Sequence, residues 1–149
     1  MKVSLNRASR RSPRWMDAGW QRRVARAAAG LGRRGDVVNV VIVDDREIRR
    51  LNRRYRGKDK PTDVLSFGYD AGPDDDVVGD VYLSHETLAR DARRLGVRAR
   101  DLSVRLVVHG VLHVVGYDHE SDADAARMER RERIVLKRVL PAGVVRELF

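Results

Sequence analysis

The chain has no cysteine among its 149 residues. That absence excludes disulfides, thiolate-ligated zinc and a cysteine nucleophile, so a metal site here must use His, Asp, Glu or water. Aromatic residues are scarce, at 5%. Apolar runs are short: the longest, such as 37–43, are strand-sized and far below a membrane span. The first residues, MKVSLNRASR, carry no apolar stretch behind their charges. No secretory signal is therefore expected, and the expected location is cytoplasmic, with no membrane association. Acidic residues are outnumbered, 22 against 31 basic ones, for a formal charge of +9. Such a balance suits a polyanionic partner, although an arginine-rich composition is a weak signal alone.

What is present is enough apolar material, 42% of residues, for one core in one domain spanning 1–149. Residues 2–6 read as a short edge strand. Residues 15–32 read as an amphipathic helix whose Trp15 and Trp20 face the core, with a stop at Gly30 and Gly32. Residues 36–44 are β-branched with little alternation, as in a strand covered on both faces. A helix opening at an Asp cap follows, with Ile48, Leu51 and Tyr55 at helical spacing. Strands are expected at 64–69 and 77–84, and between them DAGPDDD has turn chemistry. Helices are then expected at His85–Leu95, at Leu102–Val115, and from a Ser121 cap to about Leu140. The fold class is α+β: a small mixed sheet of about four strands with about five helices.

The chemistry concentrates in HGVLHVVGYDHE, residues 109–120. His109 and His113, four apart, stack on one helical face. Gly116 permits a left-handed helix end, so the chain can double back and bring His119 to the same point. Three neutral imidazoles with one open position match a catalytic zinc rather than a closed structural one. The alternative, a helix with incidental histidines, would bury imidazoles without partners among apolar neighbours. The spacing H-x-x-x-H-x-x-G-x-x-H also matches the metzincin protease motif, which needs Glu directly after its first His. Here that residue is Gly110, which makes a metalloprotease-like hydrolase the weaker alternative.

Other stretches admit two readings. Arg56, Lys58 and Lys60 fall in a loop able to hold phosphate, or form a solvated connector, with Thr62 and Asp63 closing it. Asp74–Asp76 can hold a second metal or make a solvated turn, the latter being expected. His85 is expected at the surface or in a cap. Asp118 and Glu120 either orient an imidazole or favour the next helix's start. Arg22, Arg23 and Arg26 are expected on a solvated face.

HGVLHVVGYDHE, LNRRYRGKDKPTDVLSFGY and GDVYLS together resemble the YbeY family of bacterial endoribonucleases. The likeness runs from about residue 36 through the helix after His119, including Met128 and Glu132. It implies a single-strand-specific, metal-dependent endoribonuclease of the cytoplasm. The implied tasks are 16S rRNA 3′-end maturation and ribosome quality control. The implied partners are single-stranded RNA, ribosomal RNA and the small ribosomal subunit, not DNA. The resemblance further implies that His109, His113 and His119 bind one Zn2+ and that Arg56 lies in the active site. Gly68 stands where the family commonly has Pro, a change expected to alter the strand end and not the metal site. A non-catalytic ribosome-assembly factor with a structural metal is the remaining alternative.

Overall fold

The computed structural model describes residues 1–70, 72–74 and 76–149. Ten elements follow in the order β1 (Lys2–Arg7), α1 (Ala18–Ala28), β2 (Val37–Val43), α2 (Asp45–Arg56), β3 (Val64–Gly68), β4 (Val77–Ser84), α3 (His85–Leu95), α4 (Ala99–Val114), α5 (Asp122–Leu136) and α6 (Ala142–Glu147). The strands form one sheet in the order β1-β2-β4-β3. β1, β2 and β4 run parallel, and β3 pairs antiparallel along the edge of β4. The fold is the expected α+β class with a mixed four-stranded sheet, and helices cover both of its faces.

The two faces differ in how completely they are closed. Val3, Val38, Val40, Ile42, Val81 and Leu83 point into the main core, where they meet α1 and α4. The other face carries Val41, Val43, Leu65, Phe67 and Tyr82, and α2 reaches it through Ile48 and Leu51. The strand-length apolar run of β2 is thus covered on both faces, fully on one and in part on the other. α4 is apolar nearly all round and lies in the main core with Leu102, Val104, Val107, Val108, Val111 and Leu112 buried. Each such side chain contributes roughly 1.5–3 kcal/mol on burial, so α4 anchors the fold and whatever it carries is held rigidly.

Element ends depart from expectation where polar residues carry them. α1 starts at Ala18 because Asp17 accepts the Trp20 N–H and caps it. Trp15 lies before the helix, edge-on to the buried Trp20. α4 starts at Ala99, three residues ahead of Leu102, the first of its large apolar side chains. α6, six residues long, has no counterpart in the sequence pattern, since so short a segment shows no readable period. Tyr55 is 57% exposed rather than core, resting edge-on against Phe67.

Candidate metal centre

α4 carries His109 and His113 in its last two turns, and the helix stops where Gly116 takes φ +103°. The stop is tied by Tyr117 N–H to Leu112 C=O at 2.9 Å and Gly116 N–H to His113 C=O at 3.1 Å. Asp118 then accepts the backbone N–H groups of His119 and Glu120. Its carboxylate therefore shapes the turn that presents His119 and holds no imidazole. Ser121 accepts the Asp124 N–H at 3.1 Å and starts α5. Local chemistry alone folds the chain back and places three rings together: ligand nitrogens of His109, His113 and His119 lie within 4.8 Å of one another.

The far nitrogens of two rings are fixed. His113 Nδ1–H donates to the Tyr117 carbonyl at 3.0 Å. His109 Nδ1–H donates to Glu132, which is buried on α5. Both bonds leave Nε2 unprotonated, and the Nε2 atoms of His109 and His113 are 3.1 Å apart. Two lone pairs at that distance repel; a cation shared between them converts repulsion to attraction. Zinc–nitrogen bonds of about 2.0–2.1 Å in a tetrahedron space two ligands by about 3.3 Å, so the pair fits such an ion. Burial and then the neighbouring imidazoles hold the His113 pKa below its ordinary value. It therefore stays neutral, the form that ligates.

Glu132 is the residue that the histidine motif leaves without a role. It is held in turn by Arg105, whose Nε lies 3.5 Å from the second carboxylate oxygen. Arg105 also bonds the Leu148 carbonyl and stacks on Phe149. Its signal in the sequence is a lone acid on the apolar stripe of α5, between Met128 and Val135. Because it fixes an imidazole tautomer, Glu132→Gln should weaken metal affinity about 10–100-fold. Competition against a chromophoric chelator measures this, and unchanged affinity would contradict the role.

The histidines open into a recess of about 420 Å³ whose walls include Arg56, Thr62, Asp63, Ser66, Gly68 and Gly110. Arg56 closes α2 rather than sitting in the loop after it, and it joins the histidines at the exposed edge of β3. The buried Asn52 amide donates to the Lys60 carbonyl at 2.9 Å and so fastens the loop to α2. Nothing in the sequence singles out Asn52, which looks like an ordinary helix polar residue. Thr62 and Asp63 do more than end the loop, since they line the recess; Lys58 and Lys60 are exposed and do not. Gly68 ends β3 at the recess wall. Gly110 is required by close packing: a Cβ there would sit 2.7 Å from a Val81 methyl.

Elsewhere the expectations divide. His85 is buried, not on the surface, and its Nε2 bonds the Ser9 hydroxyl at 2.9 Å. Arg22, Arg23 and Arg26 are all exposed, as expected. The expected turn at Asp74–Asp76 includes Asp75, which lies outside the described residues, as does Ala71. Among the described residues no helix is long and apolar enough to cross a membrane.

A family model described as Endoribonuclease YbeY matches residues 13–140. An Endoribonuclease YbeY of Geobacter sulfurreducens is 40% identical over 152 residues, covering 97% of this chain and 100% of that protein. The Endoribonuclease YbeY of Bordetella parapertussis is 39% identical, with 93% and 90% covered. Among solved structures, the solution structure of TM1509 from Thermotoga maritima superposes with a TM-score of 0.65 at 27% identity, over 92% of this chain and 88% of that one.

Proposed function

Since the chain belongs to the YbeY endoribonuclease family, we propose that it is a metal-dependent endoribonuclease cutting single-stranded RNA in the recess between α4 and the β3 edge. One observation carries the reading: a pinned pair of imidazole nitrogens 3.1 Å apart opens into the same recess as an arginine. We assign the 3′ end of 16S ribosomal RNA, presented by the small ribosomal subunit in the cytoplasm, as the substrate. We place the enzyme in ribosome quality control as well.

His109, His113 and His119 would hold one divalent ion, zinc by ligand preference. Bound there, it supplies Lewis acidity toward a phosphoryl oxygen. The chain's own groups do the rest. Glu132 and the Tyr117 carbonyl keep protons on the Nδ1 atoms and so aim both Nε2 atoms at one point. The Arg56 guanidinium can engage two non-bridging phosphate oxygens and offset the charge that grows during displacement. Thr62 and Ser66, also in the recess, offer hydroxyl donors to the same phosphate.

Two other readings fare worse. A peptidase base cannot be accommodated at Gly110, because its Cβ position is already filled by Val81. A closed structural site fits poorly with His119, which is exposed and borders the recess. Arg56→Ala should leave metal binding intact and lower cleavage about 10²–10³-fold. Assays on fragments from the 3′ end of 16S rRNA, with and without chelator, test the proposal. Cleavage that persists undiminished in chelator would overturn it.

A further inference from the structure

The outer sheet face bears a second and larger recess, about 710 Å³, between α2 and strands β2 and β4. Its floor is Val41 and Tyr82, and its wall is the flank of α2 carrying Arg46, Arg49, Arg50 and Arg53. Three carboxylates also border it, and each is engaged. Asp44 caps α2 through the Glu47 N–H, Glu47 pairs with Arg50 at 2.7 Å, and Asp59 pairs with Arg49 at 2.9 Å. Among the described residues Arg46 and Arg53 form no ion pair, so the wall keeps a positive surplus. Arg10 and Arg11 extend it through an adjoining hollow that shares Ala8, Ser9 and Asp44.

The arginine row does not end with this recess. Positions 46, 49, 53 and 56 are spaced three, four and three apart, which puts them in one line along a helix. Over ten residues that line is about 15 Å long, and its last member is Arg56, in the wall of the histidine recess. Beside the line runs an aromatic series: Tyr82 lies 5.8 Å from Phe67, and Phe67 lies 5.2 Å from Tyr55, ring centre to ring centre. A row of cations beside partly exposed rings is what an unpaired nucleic-acid strand engages, phosphates on the one and bases on the other. A duplex would hide its bases from those rings.

We propose that the outer flank of α2, with Tyr82 and the open sheet face, is a track for the part of the RNA strand beyond the cleaved bond, leading past Arg56 into the histidine recess. This rests on the endoribonuclease reading and adds where the rest of the substrate lies.

The test compares wild type with an Arg46→Ala, Arg53→Ala double variant, using fluorescein-labelled single-stranded RNA of about 20 nucleotides and anisotropy at several salt concentrations. Arg22→Ala with Arg23→Ala removes the same charge from α1, on the other side of the sheet, and serves as control. The α2 variant should bind about tenfold or more weakly. Its slope of log affinity against log salt should fall by roughly 0.7 for each phosphate that is no longer neutralised. KM for a long RNA should rise more than KM for a short one, and chelator competition should show metal binding equal to wild type. Equal weakening in the two double variants would mean unspecific charge and would overturn the track. So would wild-type affinity in the α2 variant, or displacement of RNA by poly-glutamate at lower concentration than by unlabelled RNA. Failure of the wild type itself to cut RNA would instead remove the endoribonuclease reading, a result separable from all of these.

Discussion

Replacing His113 with alanine should abolish metal binding and reduce RNA cleavage by at least about 10³-fold. His113 is the middle of the three rings, its centre 4.7 Å from that of His109 and 4.8 Å from that of His119. Its loss leaves two nitrogens without the donor between them, and two imidazoles hold a divalent ion far more weakly than three. Metal content per chain after dialysis reads the first effect, and rates on a 3′ rRNA fragment read the second. A variant that cleaves at the wild-type rate without metal would remove the proposal. Stability should move the opposite way. The folded state holds His113 below its ordinary value of 6.5, mainly through burial, so folding favours the neutral ring. The metal-free wild type must therefore lose stability as pH falls from about 6.5 toward the lower folded value, because the unfolded chain binds the extra proton. The alanine variant lacks that group and should lose less over the same window, as thermal unfolding at pH 7.5 and about 5.5 would show.

This contrast shows which parts of the molecule could be read in advance. The two α4 histidines and their shared face follow from helix geometry, and Gly116 marks the reversal that returns His119. Nothing in that stretch names its partners across the fold. Glu132 lies 23 residues beyond His109 and meets it only because α5 packs back along α4. Arg56 reaches the histidines only because β3 pairs antiparallel at the sheet edge, bringing the end of α2 round to α4. Spacing thus gives ligands on one element, whereas orienting and charge-neutralising groups depend on tertiary pairing. The fold divides in the same way. Strands and long helices announce themselves by apolar pattern and caps, while the polar start of α4 and the short α6 do not. His85 is a related case: a polar residue at a helix start reads as exposed, until the chain beyond β1 delivers Ser9 to it.

Substituting Gly110 tests why this metal cage lacks a protease's base. A Cβ at this position would stand 2.7 Å and 3.1 Å from the two methyls of Val81, inside van der Waals contact. Val81 is fully buried on β4, between β2 and β3, and its β-branched side chain has little rotamer freedom. Two effects oppose each other in Gly110→Ala. Helix propensity favours alanine by about 1 kcal/mol, whereas overpacking a tight core costs about 1–3 kcal/mol. Because neither Val81 nor the sheet can retreat, overpacking should win, with a net loss of up to about 2 kcal/mol in denaturant unfolding. Gly110→Glu adds a carboxylate where no partner awaits it, at a further cost of several kcal/mol. Against a typical total stability of about 5–15 kcal/mol, that variant should be largely unfolded. Coupling is the decisive measurement: with Val81→Ala the methyls are gone, so Gly110→Ala should become neutral or stabilising. The non-additivity should then reach about 1 kcal/mol or more. A Gly110→Ala protein more stable than wild type would show that propensity alone governs the site and that α4 does not press on β4. If the clash is confirmed, the closeness that anchors the histidine helix also excludes a carboxylate side chain at position 110, directly after His109. Peptide hydrolysis is then denied a base at that position, whereas phosphodiester cleavage can use charge neutralisation.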